Sequence, residues 1–161
     1  MSVPTETAAS RTAGQLTPRR VGGLRRAGFV TFVMLVVQFA LGMYVNLYVT
    51  VPKADQGHGF AQAISNGPAG LIVHIVLGLL LILAAVGFLV QTIVVRRPGL
   101  ITIAVLGLLT MIGAAASGSS FTGNGQDSQS MTMAALASAA LLCYGTALFL
   151  LSRPTTGEYA G

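Results

Sequence analysis

Five polar side chains lie inside long apolar stretches of this 161-residue chain and are its candidates for chemistry: Gln38, Asn46, His74, Gln91 and Tyr144. His74 is the only imidazole among them, and an imidazole can donate or accept a hydrogen bond, transfer a proton near neutral pH or ligate a metal. Because an unpartnered imidazole is costly in hydrocarbon, His74 is expected to face other helices rather than lipid.

Three uses of His74 stay open on the sequence. It can hydrogen-bond Asn46 or a serine and so hold two helices together. It can bind a cofactor as an axial haem ligand, with Gly78 one turn on leaving flat space beside the ring. It can also line a polar path for a small permeant or a quinone. No nucleophile, acid–base pair or metal-ligating cluster accompanies it, so the sequence predicts no catalytic residue and no separate metal site.

The rise of a helix, about 1.5 Å per residue, orders these side chains by depth. Counted from the outer end of each apolar stretch, Asn46 and His74 both lie about 7 to 9 Å below the outer surface, with Ser138 within one or two turns of that level. Gln38 and Tyr144 lie about 20 Å from it, so they are expected to meet near the bilayer midplane. The side chains predicted to make polar contacts between helices are therefore Gln38, Asn46, His74, Ser138 and Tyr144.

Four apolar stretches without Asp, Glu, Lys or Arg carry these residues, at 27–51, 69–95, 99–117 and 131–152. About 20 helical residues cross a hydrocarbon core of roughly 30 Å. Lipid cannot satisfy free backbone groups, and the two-residue alternation of membrane strands is absent, so these stretches are expected to be helices. The predicted fold class is all-α, a four-helix transmembrane bundle over 27–152, with a disordered basic tail at 1–26 and a short tail at 153–161.

Composition excludes several classes of protein. Only 8% of the residues are charged and 53% are apolar, where a soluble domain carries about a quarter charged residues. The four acidic residues all lie outside the apolar stretches, so no intramembrane carboxylate couples protons. The basic residues stand beside helix ends without interleaved aromatics, so no nucleic acid partner is expected. A single cysteine, Cys143, rules out a disulfide within the chain.

The basic residues predict the orientation of the chain. Eight of the nine flank the same ends of the four stretches, and Lys53 alone lies in the other loops. By the positive-inside rule both termini are expected in the cytoplasm. The preference for arginine over lysine is typical of a bacterial genome rich in G and C, which indicates a multi-pass protein of the plasma membrane. The eight are Arg11, Arg19, Arg20, Arg25, Arg26, Arg96, Arg97 and Arg153.

Two segments carry a resemblance to a known family. The run VQFALGMYV at 37–45, followed by HIVLGLL at 74–80, resembles one helix pair of the haem A synthase family, in which Gln-x-x-x-Gly on one helix precedes a ligand histidine on the next. The resemblance implies that His74 matches a haem-ligand position. The other histidine, His58, lies in a loop, so a methionine or the same histidine of a second protomer would be the second ligand. The whole chain, with GMYVNL at 42–47, is also similar to a group of small four-helix integral membrane proteins of actinobacteria.

These observations favour a plasma-membrane protein without a catalytic site. We expect an accessory or assembly subunit whose partners are the lipid bilayer and other membrane proteins or a second copy of itself. One alternative is a membrane redox protein that binds haem or a quinone through His74. The other is a small transporter, in which proton coupling would depend on His74 because no intramembrane carboxylate is available.

Overall fold

The computed structural model describes residues 18–49, 64, 65, 67–124 and 127–153. They form four long helices, α1 (Pro18–Tyr48), α2 (Ala69–Val95), α3 (Pro98–Asn124) and α4 (Asp127–Ser152). No strand occurs among the described residues. The predicted all-α four-helix bundle is confirmed. Each helix contains a segment long and apolar enough to cross a membrane, at Val21–Tyr48, Ala69–Val95, Pro98–Ser120 and Ser128–Ser152, which makes the chain a multi-pass membrane protein.

Helix α1 begins well before the apolar stretch. Pro18 is its first residue, which suits a proline because the first helical N–H has no partner within the helix in any case. The arginines that follow are good helix formers. The prediction of a disordered tail up to residue 26 is therefore wrong for 18–26, while 1–17 and 154–161 lie outside the described residues.

Helices α3 and α4 also extend beyond the predicted stretches 99–117 and 131–152, toward the connection between them. The added turns are rich in serine and threonine, whose hydroxyls donate to helix carbonyls four residues earlier. Ser120 Oγ bonds Ala116 O at 3.1 Å and Thr132 Oγ1 bonds Ser128 O at 2.9 Å. Small polar residues here continue a helix instead of ending it, so the connection between α3 and α4 is shorter than expected.

A tight turn joins α2 to α3. Arg96 is left-handed, with φ 54° and ψ 38°, and its N–H donates to Ile93 O at 3.0 Å. Pro98 then starts α3, again at a position that needs no backbone donor. A connection this short makes α2 and α3 antiparallel neighbours.

The helices form a closed ring in which each packs against its neighbours in sequence and α1 also packs against α4. The core fills one half of this ring. Phe88 and Tyr144 meet there with ring centroids 5.6 Å apart, and the Tyr144 ring lies against Gly107. We call this the closed half; it includes the start of α1 and the end of α4. The other half, between the end of α1 and the start of α4, contains a cavity, and we call it the hollow half.

Candidate functional site

The cavity in the hollow half has a volume of about 330 Å³ and is lined by all four helices. Its α3 and α4 walls are built from small side chains, and flexible methionines complete the lining. Binding sites for small molecules are typically concave, mostly apolar and about 300 Å³ or larger. The small residues are Ala114, Ala115, Gly118, Ala134 and Ala137, and the methionines are Met43, Met111 and Met133.

Four polar residues line the cavity, Gln38, Asn46, His74 and Ser130, and two of them form a hydrogen-bonded pair across α1 and α2. Gln38 Nε2 donates to the backbone oxygen of His74 at 2.9 Å and lies 3.4 Å from His74 Nε2. Only the amide nitrogen can donate to a carbonyl, which fixes the orientation of the glutamine. The imidazole Nε2 then faces a donor and acts as the acceptor, so the proton of the neutral ring belongs on Nδ1. We refer to Gln38 and His74 as the polar pair.

Two glycines make room for the polar pair. A Cβ at Gly42 would lie 2.9 Å from His74 Cε1, and a Cβ at Gly78 would lie 3.0 Å from Gln38 Nε2. Each glycine stands one turn after a member of the pair on the same helix. Because α1 and α2 are antiparallel, each polar side chain lies against the glycine of the opposite helix. The absence of two methyl groups is what allows the helices to approach closely here.

The polar pair is only partly satisfied. Gln38 Oε1 and His74 Nδ1 are buried and have no hydrogen-bond partner in the described part of the chain. An unsatisfied buried polar atom costs about 1 to 3 kcal/mol. One acceptor and one donor of the polar pair thus remain unused beside the cavity.

Asn46 does not bond His74, and that predicted contact is wrong. Its Oδ1 accepts from Ser130 Oγ at 2.8 Å, which joins α1 to α4 at the rim of the hollow half. The depth count assumed that residues 51 and 68 were level. In the structure Gly42 lies against His74 and Gly78 against Gln38, so α2 is shifted by about three residues and His74 faces Gly42 instead. The sequence missed Ser130, because the helix was expected to begin after it.

The predicted meeting of Gln38 and Tyr144 is also wrong. Tyr144 is buried at 1% exposure in the closed half, and its hydroxyl has no hydrogen-bond partner among the described residues. The cause is visible in the Asn46–Ser130 hydrogen bond, which shows that these two residues lie at the same depth. The start of α4 lies about six residues deeper against α1 than the count assumed, which displaces Tyr144 by about 9 Å.

Within the part of the chain that the structure describes, Ser138 makes no polar contact between helices, contrary to the prediction. Its Oγ donates to Ala134 O at 2.9 Å on its own helix, and the residue is exposed. Depth alone did not show which face of α4 it occupies. The fifth polar side chain of the spans, Gln91, is exposed on the outer face of α2.

The polar pair does not fit haem as it is arranged. Iron needs a free ring nitrogen, but His74 Nε2 faces the Gln38 amide, and Cε1, the carbon between the two ring nitrogens, lies against Gly42. The space beside Gly78 that was expected for a flat ring contains the same amide. His58 lies outside the described residues. Haem ligation by His74 stays a prediction, and it requires Gln38 or the His74 ring to move.

Comparison of the chain with protein-family models, curated proteins and solved structures finds no match. Function is therefore argued from the cavity and the residues that line it.

Proposed function

We propose that this chain is a plasma-membrane protein that binds a lipophilic ligand with a polar ring headgroup, of the quinone class, in the cavity of the hollow half. The observation that carries the proposal is the polar pair in the mostly apolar lining of a cavity of about 330 Å³, where the other polar residues, Asn46 and Ser130, bond each other. A purely apolar cavity would suit any lipid tail, whereas the unused donor and acceptor select a headgroup.

The two redox forms of a quinone together offer a group for each unused atom. A quinone carbonyl accepts from His74 Nδ1–H, and the hydroxyl of the reduced form donates to Gln38 Oε1. Three methionines adapt their rotamers to the ring and tail. Binding to Nδ1 requires the His74 ring to turn from Gly42 toward the cavity, which exchanges the weak 3.4 Å contact with Gln38 for a bond to the ligand. Binding to Oε1 requires the Gln38 amide to turn, which also breaks its 2.9 Å bond to His74 O.

The orientation of the chain is part of the proposal. The seven arginines within the described backbone all lie at the closed end of the bundle, either near the start of α1, at the α2–α3 turn or just after α4. The positive-inside rule supports a cytoplasmic closed end with both termini on that side. The cavity then lies in the outer leaflet, where a lipophilic ligand can reach it.

The test uses adjacent alanines of α4. Ala134 lines the cavity, whereas Ala135 is exposed and does not. Purified wild-type protein in nanodiscs is titrated with a benzoquinone carrying a decyl tail, and bound quinone is quantified by its ultraviolet absorbance after extraction. We expect Ala134→Phe to abolish binding and Ala135→Phe to retain it. His74→Leu should weaken binding about fivefold, since one hydrogen bond contributes about 1 kcal/mol.

Equal binding by both alanine variants, or no saturable binding by wild type, would reject the quinone cavity. A Soret band in protein purified from its native membrane that disappears in His74→Gln would favour the haem alternative instead, because glutamine is a poor iron ligand.

A second candidate function, the accessory subunit, is favoured by Gln91. This amide is exposed on α2, one turn after Gly87, where an added Cβ would meet nothing within 4 Å. A polar side chain beside open space on a lipid-facing surface suits contact with a helix of another membrane protein. In a Cys143→Ser background, Gly87→Cys should cross-link to that protein in native membranes, and Leu106→Cys on the exposed face of α3 should not.

A further inference from the structure

A second concavity lies at the closed end of the bundle, between the start of α1 and the end of α4. It is an open groove of about 560 Å³. The wall nearest the end of the bundle is basic, and the wall nearer the middle of the bundle is aromatic or aliphatic. It is lined by Gly22, Arg25, Arg26 and Phe29 of α1 and by Leu148, Phe149 and Ser152 of α4.

The groove carries positive charge that the described residues do not neutralise. Arg25 and Arg26 are exposed, and the Arg153 guanidinium lies 4.6 Å from the centroid of the Phe149 ring. The Ser152 hydroxyl donates to Phe149 O at 2.8 Å, so it already has a partner. Asp127 is the only acidic residue within the described ranges, and it lies at the opposite end of the bundle.

The position of the charges matches the boundary between headgroups and hydrocarbon. Arg25 and Arg26 directly precede the charge-free stretch of α1, and Phe29 follows one turn deeper. A phospholipid has the same order, with a phosphate above two acyl chains. Basic pockets between membrane helices on the cytoplasmic side bind anionic headgroups in this way.

We propose that this groove binds an anionic phospholipid, with its phosphate at Arg25 and Arg26 and an acyl chain against Phe29 and Leu148. The proposal is independent of the quinone cavity, which lies in the other half of the bundle. A zwitterionic lipid carries the same phosphate together with a compensating cation, so the unneutralised charge of the groove selects the anionic one.

The first test removes charge. Purified protein is exchanged into nanodiscs of phosphatidylcholine with a minor fraction of phosphatidylglycerol of the same chains, and retained lipid is counted by native mass spectrometry. Wild type should retain one phosphatidylglycerol. Arg25→Gln with Arg26→Gln should retain it about thirtyfold less tightly. The matched control, Arg96→Gln with Arg97→Gln, removes the same charge at the same end and should retain the lipid.

The second test fills the groove without changing charge. An added Cβ at Gly22 or Gly23 would meet nothing within 4 Å, so both accept a larger side chain, but only Gly22 lines the groove. Gly22→Leu should release the lipid and Gly23→Leu should keep it. The proposal is overturned if both arginine double variants lose the lipid equally, or if wild type retains phosphatidylcholine as well as phosphatidylglycerol. It is also overturned if Gly22→Leu keeps the lipid, or if millimolar inorganic phosphate displaces it.

Discussion

Replacing Gly42 by alanine is expected to push α1 away from α2. The new Cβ would lie 2.9 Å from His74 Cε1, whereas carbon atoms in contact prefer about 3.5 to 4.0 Å. The imidazole must therefore withdraw by about 0.6 Å or more. His74 cannot withdraw freely, because the backbone oxygen of this residue accepts the 2.9 Å hydrogen bond from Gln38.

The expected cost follows from two opposing effects. Inserting a methyl group into a packed contact costs about 1 to 3 kcal/mol. Alanine recovers up to about 1 kcal/mol relative to glycine within a helix. With the full alanine gain, the net loss in the free energy of unfolding is about 0 to 2 kcal/mol relative to wild type, which lowers the melting temperature of a chain of this size by up to about 8 °C. Relative to a Gly→Ala change in open space, which keeps the same gain, the loss is the full penalty of about 1 to 3 kcal/mol.

The single cysteine offers a direct assay. Cys143 is half-buried on α4 and is the only cysteine of the sequence, so a thiol-reactive fluorophore reports unfolding from one site as the detergent-solubilised protein is heated. Gly87→Ala is the control, because its Cβ would meet nothing within 4 Å. In a His74→Ala background the ring is gone, and Gly42→Ala should cost nothing more.

The coupling free energy between Gly42→Ala and His74→Ala should therefore be about 1 to 3 kcal/mol. If Gly42→Ala and Gly87→Ala have the same melting temperature, the close approach of the helices at the polar pair is refuted. If its penalty persists without the imidazole, the clash lies elsewhere on α2.

Two further predictions concern the closed half and the orientation. Tyr144→Phe should leave the melting temperature unchanged or raise it, since it removes a buried hydroxyl that has no partner among the described residues and costs about 1 kcal/mol or more; a drop of several degrees in the same thiol assay would show that the hydroxyl is satisfied. A reporter fused after Gly161 should behave as cytoplasmic and one inserted between Asn124 and Asp127 as external, since the arginines flank the other ends of the helices; the reverse pattern would place the cavity in the inner leaflet.

The sequence predicts helices here better than contacts. The bounds 69–95 are reproduced by α2, because Pro68 precedes it and the left-handed Arg96 ends it. His74 was expected to face another helix, and it does, but its partner is Gln38 rather than Asn46. Counting residues from assumed membrane boundaries carries an error of three to six residues, about 5 to 9 Å. That error exceeds the length of any hydrogen bond.

The cavity was beyond sequence reasoning for a different reason. Small residues permit either close approach of helices or a void, and composition does not distinguish the two. Gly107 allows the Tyr144 ring to pack against it, whereas Gly118, another glycine of the same helix, lines the cavity. The outcome depends on which side chain the neighbouring helix places opposite, and hence on the register between helices.

The division of the bundle into a closed and a hollow half makes its two ends unequal in compressibility. Close-packed protein is compressed little by pressure. A protein that contains a void can take up less volume when the void collapses, so pressure favours the collapsed state. Lateral pressure from the bilayer can therefore reduce the cross-section of the protein only at the hollow end, while the Phe88 and Tyr144 rings keep the other end fixed. Thickness or curvature of a single leaflet would thus change the volume available to a ligand without moving the arginine-flanked end.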